Sequence, residues 1–288
     1  MFLTPEPRMG LPAWLERELQ FDPAGLLRFH VGERQVGWML PALARRLARW
    51  PDVFVAGDER VGFAPGLDTP AARSLAIARV LQVLRDEGVV TGWRDEDYRV
   101  PPCDADEGGV GPELFRMERA ARKLFGIESH ASHLNGIVRT ASGLRMWIAR
   151  RSPSKSVDPD RLDNLVAGGI AAGTHAWSTL LKECGEEAGI PESLARRAVR
   201  RGTLRFLRRD PEGVDAQRIE LFDLELPADF VPENRDGEVA EFRLLAAGEV
   251  LRELDVPREF TVDAALVAAE CIGRHSDPEP GPARRHAI

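Results

Sequence analysis

A glycine-rich stretch, "AGGIAAG" at 167–173, leads almost directly into the acidic segment "KECGEEAGI" at 182–190. Glycine allows the backbone to turn tightly and to come close to a ligand or to another element. The intervening residues belong to "HAWSTLLKECGEEAG" at 175–189, whose apolar positions recur at helical spacing and predict a helix. The fold must therefore place an acidic helix immediately after a stretch of chain that has very few side chains.

Three glutamates of this helix form one stripe, which we call the glutamate stripe: Glu183, Glu186 and Glu187. Positions i, i+3 and i+4 are neighbours on a helix surface, so the three carboxylates repel each other unless solvent or a cation neutralises them. Mg²⁺ takes oxygen ligands and usually keeps waters and substrate phosphates in its shell. The stripe alone is typical of a solvated acidic helix face. The neighbouring glycines favour a magnesium site that holds a diphosphate over a solvated helix face.

The combined segment resembles the Nudix box. In that pattern a glycine, five residues, a glutamate and seven residues precede Arg-Glu-aliphatic-any-Glu-Glu-any-Gly-aliphatic. Gly168 takes the first position, the glutamate stripe falls in register, and Gly189 and Ile190 close the pattern. Two positions depart from it, because Thr174 stands at the first glutamate and Lys182 stands at the arginine. Lysine keeps the positive charge but lacks the planar fork of arginine.

The resemblance implies a C-terminal Nudix domain, an α/β/α sandwich around a mixed sheet, preceded by a small α+β domain. It also implies that the glutamate stripe binds Mg²⁺, with Mn²⁺ as the alternative ion. Glu183, Glu187 and Glu238 are the implied catalytic carboxylates, and Glu238 read by itself is equally compatible with a turn residue. The residues expected to bind substrate are Gly168, Gly169, Arg150, Arg151, Lys155 and Lys182. Because side chains alternate along a strand, only one of Arg150 and Arg151 is expected to point into the site.

The similarity covers most of residues 20–275, including "LDNLVAGG" and "LFDLELPADFVPENRDGEVAEFRLL". These segments are similar to a Nudix branch whose members carry an N-terminal domain of uncharacterised function. Members of that branch are similar to enzymes that cleave thiamine diphosphate, and its oxo and oxy analogues, to monophosphates. The resemblance therefore implies a small-molecule diphosphate substrate of the thiamine diphosphate type. Two alternatives stay open: a nucleoside diphosphate derivative such as ADP-ribose or NADH, and a Nudix-like binding or regulatory module with weak catalysis.

The domain boundaries follow from local composition. The stretch "RVPPCDADEGGVGP" at 99–112 is rich in Pro, Gly and Asp and predicts a boundary. We therefore expect an accessory α+β domain at 1–110, a hydrolase domain at 111–276 and a disordered tail at 277–288. The accessory domain is expected to shape the pocket, to support a homodimer or to bind a partner.

Local patterns predict several elements inside these domains. A hairpin is expected over 53–63, and a helix over 69–88 capped by Thr69. The segment "ELFRMERAARKLFG" at 113–126 predicts a further helix. Strands are expected over 130–140, 144–151, 202–210 and 218–227, and closing helices over 247–254 and 261–274.

The charge balance and hydropathy narrow the partners. A net charge of −7 disfavours a nucleic-acid partner, since such binders usually carry a basic surplus. No run of about 18 apolar residues occurs, so no membrane association is expected. The first twenty residues lack the basic and apolar regions of a signal peptide, and the three cysteines form no CxxC pair. A reducing cytoplasm is therefore the expected compartment.

Overall fold

The computed structural model describes residues 10–101 and 112–276. The predicted disordered tail lies outside these residues. The described chain forms two units, each built around its own sheet. None of the helices in this part of the chain is long and apolar enough to cross a membrane.

The first unit has a four-stranded sheet in the order β2-β1-β4-β3, with β1 and β4 parallel and the other pairs antiparallel. Its strands pack against α2 and α3 in a core rich in phenylalanine. Its elements are β1 (Leu27–Val31), β2 (Arg34–Met39), α2 (Pro41–Leu47), β3 (Phe54–Ala56), β4 (Arg60–Phe63) and α3 (Pro70–Asp86). The preceding helix, α1 (Ala13–Glu18), packs in the core of the second unit.

Two local predictions for this unit are confirmed. Strands β3 and β4 pair antiparallel as the expected hairpin. Helix α3 begins at Pro70, and the Thr69 hydroxyl accepts a 3.1 Å hydrogen bond from the Ala72 backbone N–H. The side chain thereby satisfies one of the N–H groups that the first helical turn leaves open.

The helix predicted over 113–126 is wrong. The chain instead forms β6 (Phe115–Glu118), paired antiparallel with β5 (Asp97–Val100), followed by a short 3₁₀ turn at Arg119–Ala121. Phe115 and Met117 are buried while Arg116 is exposed, which is the alternation of a strand that has one face on a core. The first core takes in residues as far as Ile127. The predicted boundary at residue 110 lies outside the described residues and stays a prediction.

The second unit is built on a mixed sheet in the order β11-β12-β7-β8-β13. Strand β10 pairs with the first half of β7, and β9 pairs with β8. Strands β7 and β12 are parallel, and the remaining pairs are antiparallel. The strands are β7 (Glu128–Thr140), β8 (Gly143–Arg151), β9 (Leu162–Asn164), β10 (Val166–Gly169), β11 (Val199–Asp210), β12 (Gly213–Glu225) and β13 (Val239–Ala246).

Helices cover both faces of this sheet. On one face α4 buries Leu180 and Cys184 against Leu134 and Phe222. On the other face α6 and α7 pack on the alternate side chains of β7 and β8. Helix α1 also joins this second packing, because the Trp14 indole N–H donates to the Leu254 carbonyl. The helices are α4 (Ala176–Glu187), α5 (Glu192–Ala195), α6 (Ala247–Leu254) and α7 (Val262–Ser276).

The predicted α/β/α sandwich with a mixed sheet is thus confirmed, and so are its principal strands and closing helices. Strand β10 holds the first two glycines of the glycine-rich stretch, and α4 begins seven residues after Gly169. Gly168 pairs with Ser132 and Gly169 pairs with Ala131. Because successive residues face opposite sides of a sheet, the two glycines open opposite faces of β10.

Candidate active site

Gly168 and Glu183 are packed closer together than any other residue type at 168 would allow. A β-carbon placed on Gly168 would lie 2.4 Å from the Glu183 Cγ and 2.9 Å from its Cδ. Real β-carbons do not approach heavy atoms so closely. The glycine therefore lets the helix that carries the glutamate stripe come directly against β10.

Glu187 is the most buried member of the stripe, with 6% of its surface exposed. Its Oε2 accepts a 2.8 Å hydrogen bond from the Ala167 backbone N–H. Burial raises the pKa of Glu187 well above its ordinary value, against the lowering effect of that hydrogen bond. The nearby charges of Asp163 and Glu183 raise it further. A nearby positive charge favours the ionised form, and Lys155 already acts in that direction.

The other two members of the stripe share a lysine. The Lys182 Nζ lies 3.2 Å from the Glu183 Oε1 and 2.7 Å from the Glu186 Oε2. Burial raises the pKa of Glu183, and Lys182 opposes that effect. Lys182 is 61% exposed, so its flexible side chain can leave this position without breaking any core packing. It acts here as the counter-ion of the stripe.

The chemistry of the stripe fits a magnesium ion. All its donors are carboxylate oxygens, the ligands that hard divalent cations prefer. A cation beside Glu183 and Glu187 would stabilise the charged forms that burial disfavours. The three carboxylates do not yet converge: within residues 10–101 and 112–276, the group of three candidate ligands whose atoms all lie within 4.8 Å is Asp223, Cys271 and His275. Binding at the stripe would require its side chains to rearrange, because Lys182 now pairs with Glu183 and Glu186.

The second group does not fit a metal. Asp223 already accepts hydrogen bonds from Asn135 at 3.0 Å, Arg201 at 3.1 Å and Arg274 at 2.9 Å. Burial raises the pKa of the Cys271 thiol well above its ordinary value, which keeps it protonated and a poor ligand. These residues form a buried ion-pair network that anchors α7 on the sheet.

The two arginines at the end of β8 point to opposite faces. Arg151 faces the α4 side, where its Nη1 binds the Asp163 Oδ2 at 2.7 Å and its other nitrogens bind the carbonyls of Val157 and Asp158. Arg150 binds Glu259 at 2.8 Å on the far face. The structure therefore does not bring Arg150 to the site, because strand alternation directs it away. Arg151 braces the loop after β8.

Lys155 and Glu238 form an ion pair at the edge of the site. The backbone Ser152 N–H donates to the Glu238 carbonyl at 2.8 Å, which holds the two loops together. Burial acts to raise the pKa of Glu238, but the hydrogen bond and charge of Lys155 outweigh it, and the pKa is lowered. The charge of Glu238 also contributes to the raised pKa of Glu183.

Thr174, at the position of the missing box glutamate, contributes to the turn before α4. Its hydroxyl donates to the Ala171 carbonyl at 2.8 Å. Thr174 is exposed and makes no contact with the glutamate stripe among the bonds of the described residues. The remaining box carboxylates are therefore held in place without it.

The first unit contributes residues that the sequence analysis did not identify. A β-carbon on Gly169 would meet the Tyr98 hydroxyl at 2.9 Å and the Arg119 Nη2 at 3.1 Å. Both side chains line a cleft of about 730 Å³ between the two units, which we call the interunit cleft. Gly168, Gly169 and Arg151 line the same cleft. The sequence offered one signal for these residues, which is that Tyr98 is the only tyrosine in the chain.

Comparisons with known proteins give a consistent assignment for both units. A family model described as "Domain of unknown function (DUF4743)" matches residues 15–129, and one described as "NUDIX domain" matches residues 135–266. "Nudix hydrolase 24, chloroplastic" of Arabidopsis thaliana is 36% identical over 263 residues, covering 91% of this chain and 69% of the relative. "Nudix hydrolase 20, chloroplastic" of the same plant is 35% identical and covers 88% and 68%.

A solved structure also aligns with part of the chain. The NUDIX domain of Shewanella oneidensis NrtR, solved with ADP ribose, is 13% identical to this chain. The alignment covers 55% of this chain and 99% of that domain, with a TM-score of 0.41.

Proposed function

The chain belongs to the Nudix hydrolase family and is a pyrophosphohydrolase, and on this premise we propose that it hydrolyses a thiamine-diphosphate-like compound to its monophosphate with Mg²⁺. The observation that carries the proposal is the packing of Glu183 against Gly168 together with the bond from Ala167 to Glu187. Together they hold Glu183 and Glu187 against β10, whose residues Ala167, Gly168 and Gly169 line the interunit cleft.

The glutamate stripe would hold the magnesium ion. Bound there, the ion would offset the charge of the phosphates and make a water molecule more acidic. Mn²⁺ presents the same preference for oxygen ligands and is the alternative ion. Lys182 would leave the stripe and, as a mobile cation at its rim, could pair with a phosphate oxygen instead.

Glu238 is the proposed general base. Its lowered pKa keeps it ionised near neutral pH, so it can accept a proton from water. The water oxygen forms a bond to phosphorus while the bond between that phosphorus and the bridging oxygen breaks. The products are the thiamine-type monophosphate and inorganic phosphate. Lys155, already paired with Glu238, orients this carboxylate.

The polar floor of the interunit cleft supports the thiamine-type substrate. Ser129, His133, Gln217 and Asp263 line it. Ser129 donates to Gln217, and the His133 Nδ1 bonds to the Asn164 Oδ1, so these polar groups are held in place. An aminopyrimidine ring carries both donors and acceptors and needs such a floor. The similarity of the glycine strand and of the segment around β12 and β13 to the thiamine-diphosphate branch supports the same substrate.

The deciding experiment compares four substrates in parallel. Thiamine diphosphate, oxythiamine diphosphate, ADP-ribose and NADH are each incubated with the protein and Mg²⁺, and phosphate-containing products are identified by mass spectrometry. The Glu187→Gln variant is the control for contaminating hydrolases. We expect thiamine-type monophosphate as the principal product, absent with the variant.

Two other outcomes would redirect the assignment. Turnover restricted to ADP-ribose or NADH would retain the pyrophosphohydrolase and replace the thiamine-type substrate with a nucleoside diphosphate derivative. Failure of the folded protein to turn over any of the four would reject the proposed substrate and support a binding or regulatory role for the site.

A further inference from the structure

The glycine strand β10 separates two oppositely charged groups with a single layer of backbone. On one face, Glu183 packs against Gly168. On the other face, the Tyr98 hydroxyl and the Arg119 guanidinium approach Gly169 to within about 3 Å of where a side chain would begin. Any residue larger than glycine at either position would push one of these groups away. The two glycines of β10 thus allow close contact with the glutamate stripe on one face and with the first unit on the other.

The contact between the first unit and the glycine-rich stretch also involves the backbone. The Ala172 N–H donates to the Asp97 carbonyl of β5 at 3.4 Å, immediately before Tyr98. Arg119 follows β6, the partner strand of β5. The position of Arg119 relative to β10 is therefore fixed by a paired sheet and by a hydrogen bond between the units.

Arg119 is oriented on two sides. Its Nη1 binds the Glu96 Oε2 at 2.8 Å, and its guanidinium carbon lies 5.4 Å from the centre of the Tyr98 ring. Of the Arg119 atoms, Nη2 lies nearest to the position of a β-carbon on Gly169, at 3.1 Å. Burial acts to lower the pKa of Arg119, but Tyr98, Glu96 and Glu238 raise it. Glu238, on the opposite unit, is thus close enough for its charge to act on this guanidinium.

Exposure distinguishes Arg119 from three other cationic residues of the cleft wall, whereas Arg258, which also lines the cleft, is 72% exposed. Arg122 and Arg208 both bind the buried Asp215, and Lys123 binds Asp210. Their side chains are 16%, 18% and 21% exposed, whereas that of Arg119 is 39% exposed. All four cations pair with a carboxylate, but Arg119 does so through Nη1 and leaves more of its guanidinium exposed than the other three.

We propose that the first unit completes the active site, with Arg119 binding a phosphate oxygen of the diphosphate substrate beside Gly169. A planar guanidinium, fixed by Glu96 and stacked on Tyr98, can offer its Nη2 face to a phosphate as a charge-assisted donor. The inference rests on the proposed diphosphate chemistry and assigns the N-terminal unit a direct role in it. Tyr98 is a positioning residue, because it holds the plane of the guanidinium.

The test is a binding measurement that does not need turnover. Imidodiphosphate, a diphosphate analogue that resists hydrolysis, is titrated with Mg²⁺ into wild-type, Arg119→Gln and Arg116→Gln protein in a calorimeter. Arg116 is the matched control, because it lies three residues away on β6, is exposed and pairs with Glu113 outside the cleft. We expect Arg119→Gln to weaken binding about tenfold or more, as for loss of a charged hydrogen bond, and Arg116→Gln to change it less than twofold.

Kinetics with the substrate identified by the four-compound assay provide the second readout. Arg119→Gln should raise KM about tenfold and change kcat less than threefold. Arg119→Lys keeps the positive charge, so its increase in KM should be at most about two thirds of that seen with Arg119→Gln. Arg119→Lys also serves as the test if Arg119→Gln does not fold. Equal affinity of wild-type and both Arg119 variants for imidodiphosphate would overturn the role of Arg119 alone. Failure of the wild-type protein to bind imidodiphosphate would overturn this inference, whereas the four-compound assay decides the proposed function separately.

Discussion

The Ala167 backbone N–H donates a 2.8 Å hydrogen bond to the Glu187 Oε2, which joins β10 to the last turn of α4. This bond fixes a buried carboxylate whose ionised form burial disfavours. A group held at such a cost is typical of a site that a cation completes. Glu187 is therefore the residue whose removal should separate function from stability most cleanly.

Glu187→Gln should abolish activity without unfolding the protein. The glutamine oxygen can keep the bond from Ala167, while the buried charge disappears, so we expect a loss of at least about 100-fold in kcat/KM. In the absence of metal we expect the melting temperature to be unchanged or higher. The variant should also lose the rise in melting temperature that Mg²⁺ gives the wild-type protein.

Glu192→Gln is the control for that experiment. Glu192 is exposed on α5 and pairs with Arg196 one helical turn away. Its replacement should leave activity and the Mg²⁺ response within error. A Mg²⁺-dependent rise in melting temperature that survives in Glu187→Gln would contradict the role of Glu187 as a metal ligand.

Alanine substitutions at two glycines of the box should have opposite effects. At Gly168 the new methyl group would lie 2.4 Å from the Glu183 Cγ, so Gly168→Ala should displace this carboxylate and lower kcat/KM by about tenfold or more. At Gly185, within α4, a β-carbon meets no atom within 4 Å. Gly185→Ala should therefore stabilise the protein by about 0.5–1 kcal/mol and leave activity intact. Urea unfolding and steady-state kinetics on both variants check the pair.

Much of the second unit could be predicted from sequence because its signals are local. The strand and helix periods, the turn between β7 and β8 and the spacing of the box all lie within short windows. The glutamate stripe follows from helical geometry alone, and strand alternation correctly implied that Arg150 and Arg151 face apart. The structure shows that Arg151 is the one at the site. Alternation alone does not tell which of the two arginines faces α4.

The missed features depend on contacts between distant segments. The segment at 113–126 contains many helix-forming residues, yet Phe115 and Met117 complete the core of the first unit as a strand paired with β5. Tertiary burial therefore overrode local propensity. The error concealed Arg119, because its position beside Gly169 follows from the β5–β6 pairing. No window of the sequence contains both residues.

Glu238→Gln tests the proposed base. Glutamine keeps the size of the side chain but cannot accept a proton, so we expect kcat to fall by about 100-fold or more with KM little changed. The acidic limb of the wild-type pH–rate profile should change in the variant. Glu241→Gln is the control and should keep full activity, because Glu241 lies three residues further along, in β13, is 56% exposed and pairs with Arg150 on the far face. A kcat within threefold of wild-type for Glu238→Gln would assign the base elsewhere.

Asp263, in the first turn of α7, should make the stability of the protein pH-dependent. Burial and the charge of Asp215 raise its pKa from the ordinary 3.8 to about 6. The folded state therefore binds the proton more tightly than the unfolded state, so the free energy of unfolding falls as the pH rises from about 4 to 6 and is constant above. Linkage sets a ceiling of about 3 kcal/mol, which partial exposure of Asp263 reduces. Asp263→Asn should recover about 1–2 kcal/mol at pH 8 and almost nothing below pH 4.

Urea unfolding of wild-type and Asp263→Asn protein at pH 4, 6 and 8 measures this difference directly. Asp229→Asn, at an exposed loop position, is the control and should show no pH-dependent gain. Because Asp263 lies on the floor of the interunit cleft, the same titration should also be repeated with Mg²⁺ and imidodiphosphate, which should leave the sign of the Asp263→Asn effect unchanged. A gain of equal size at all three pH values would show that the variant stabilises the protein through packing, and that the Asp263 carboxyl does not titrate between pH 4 and 6.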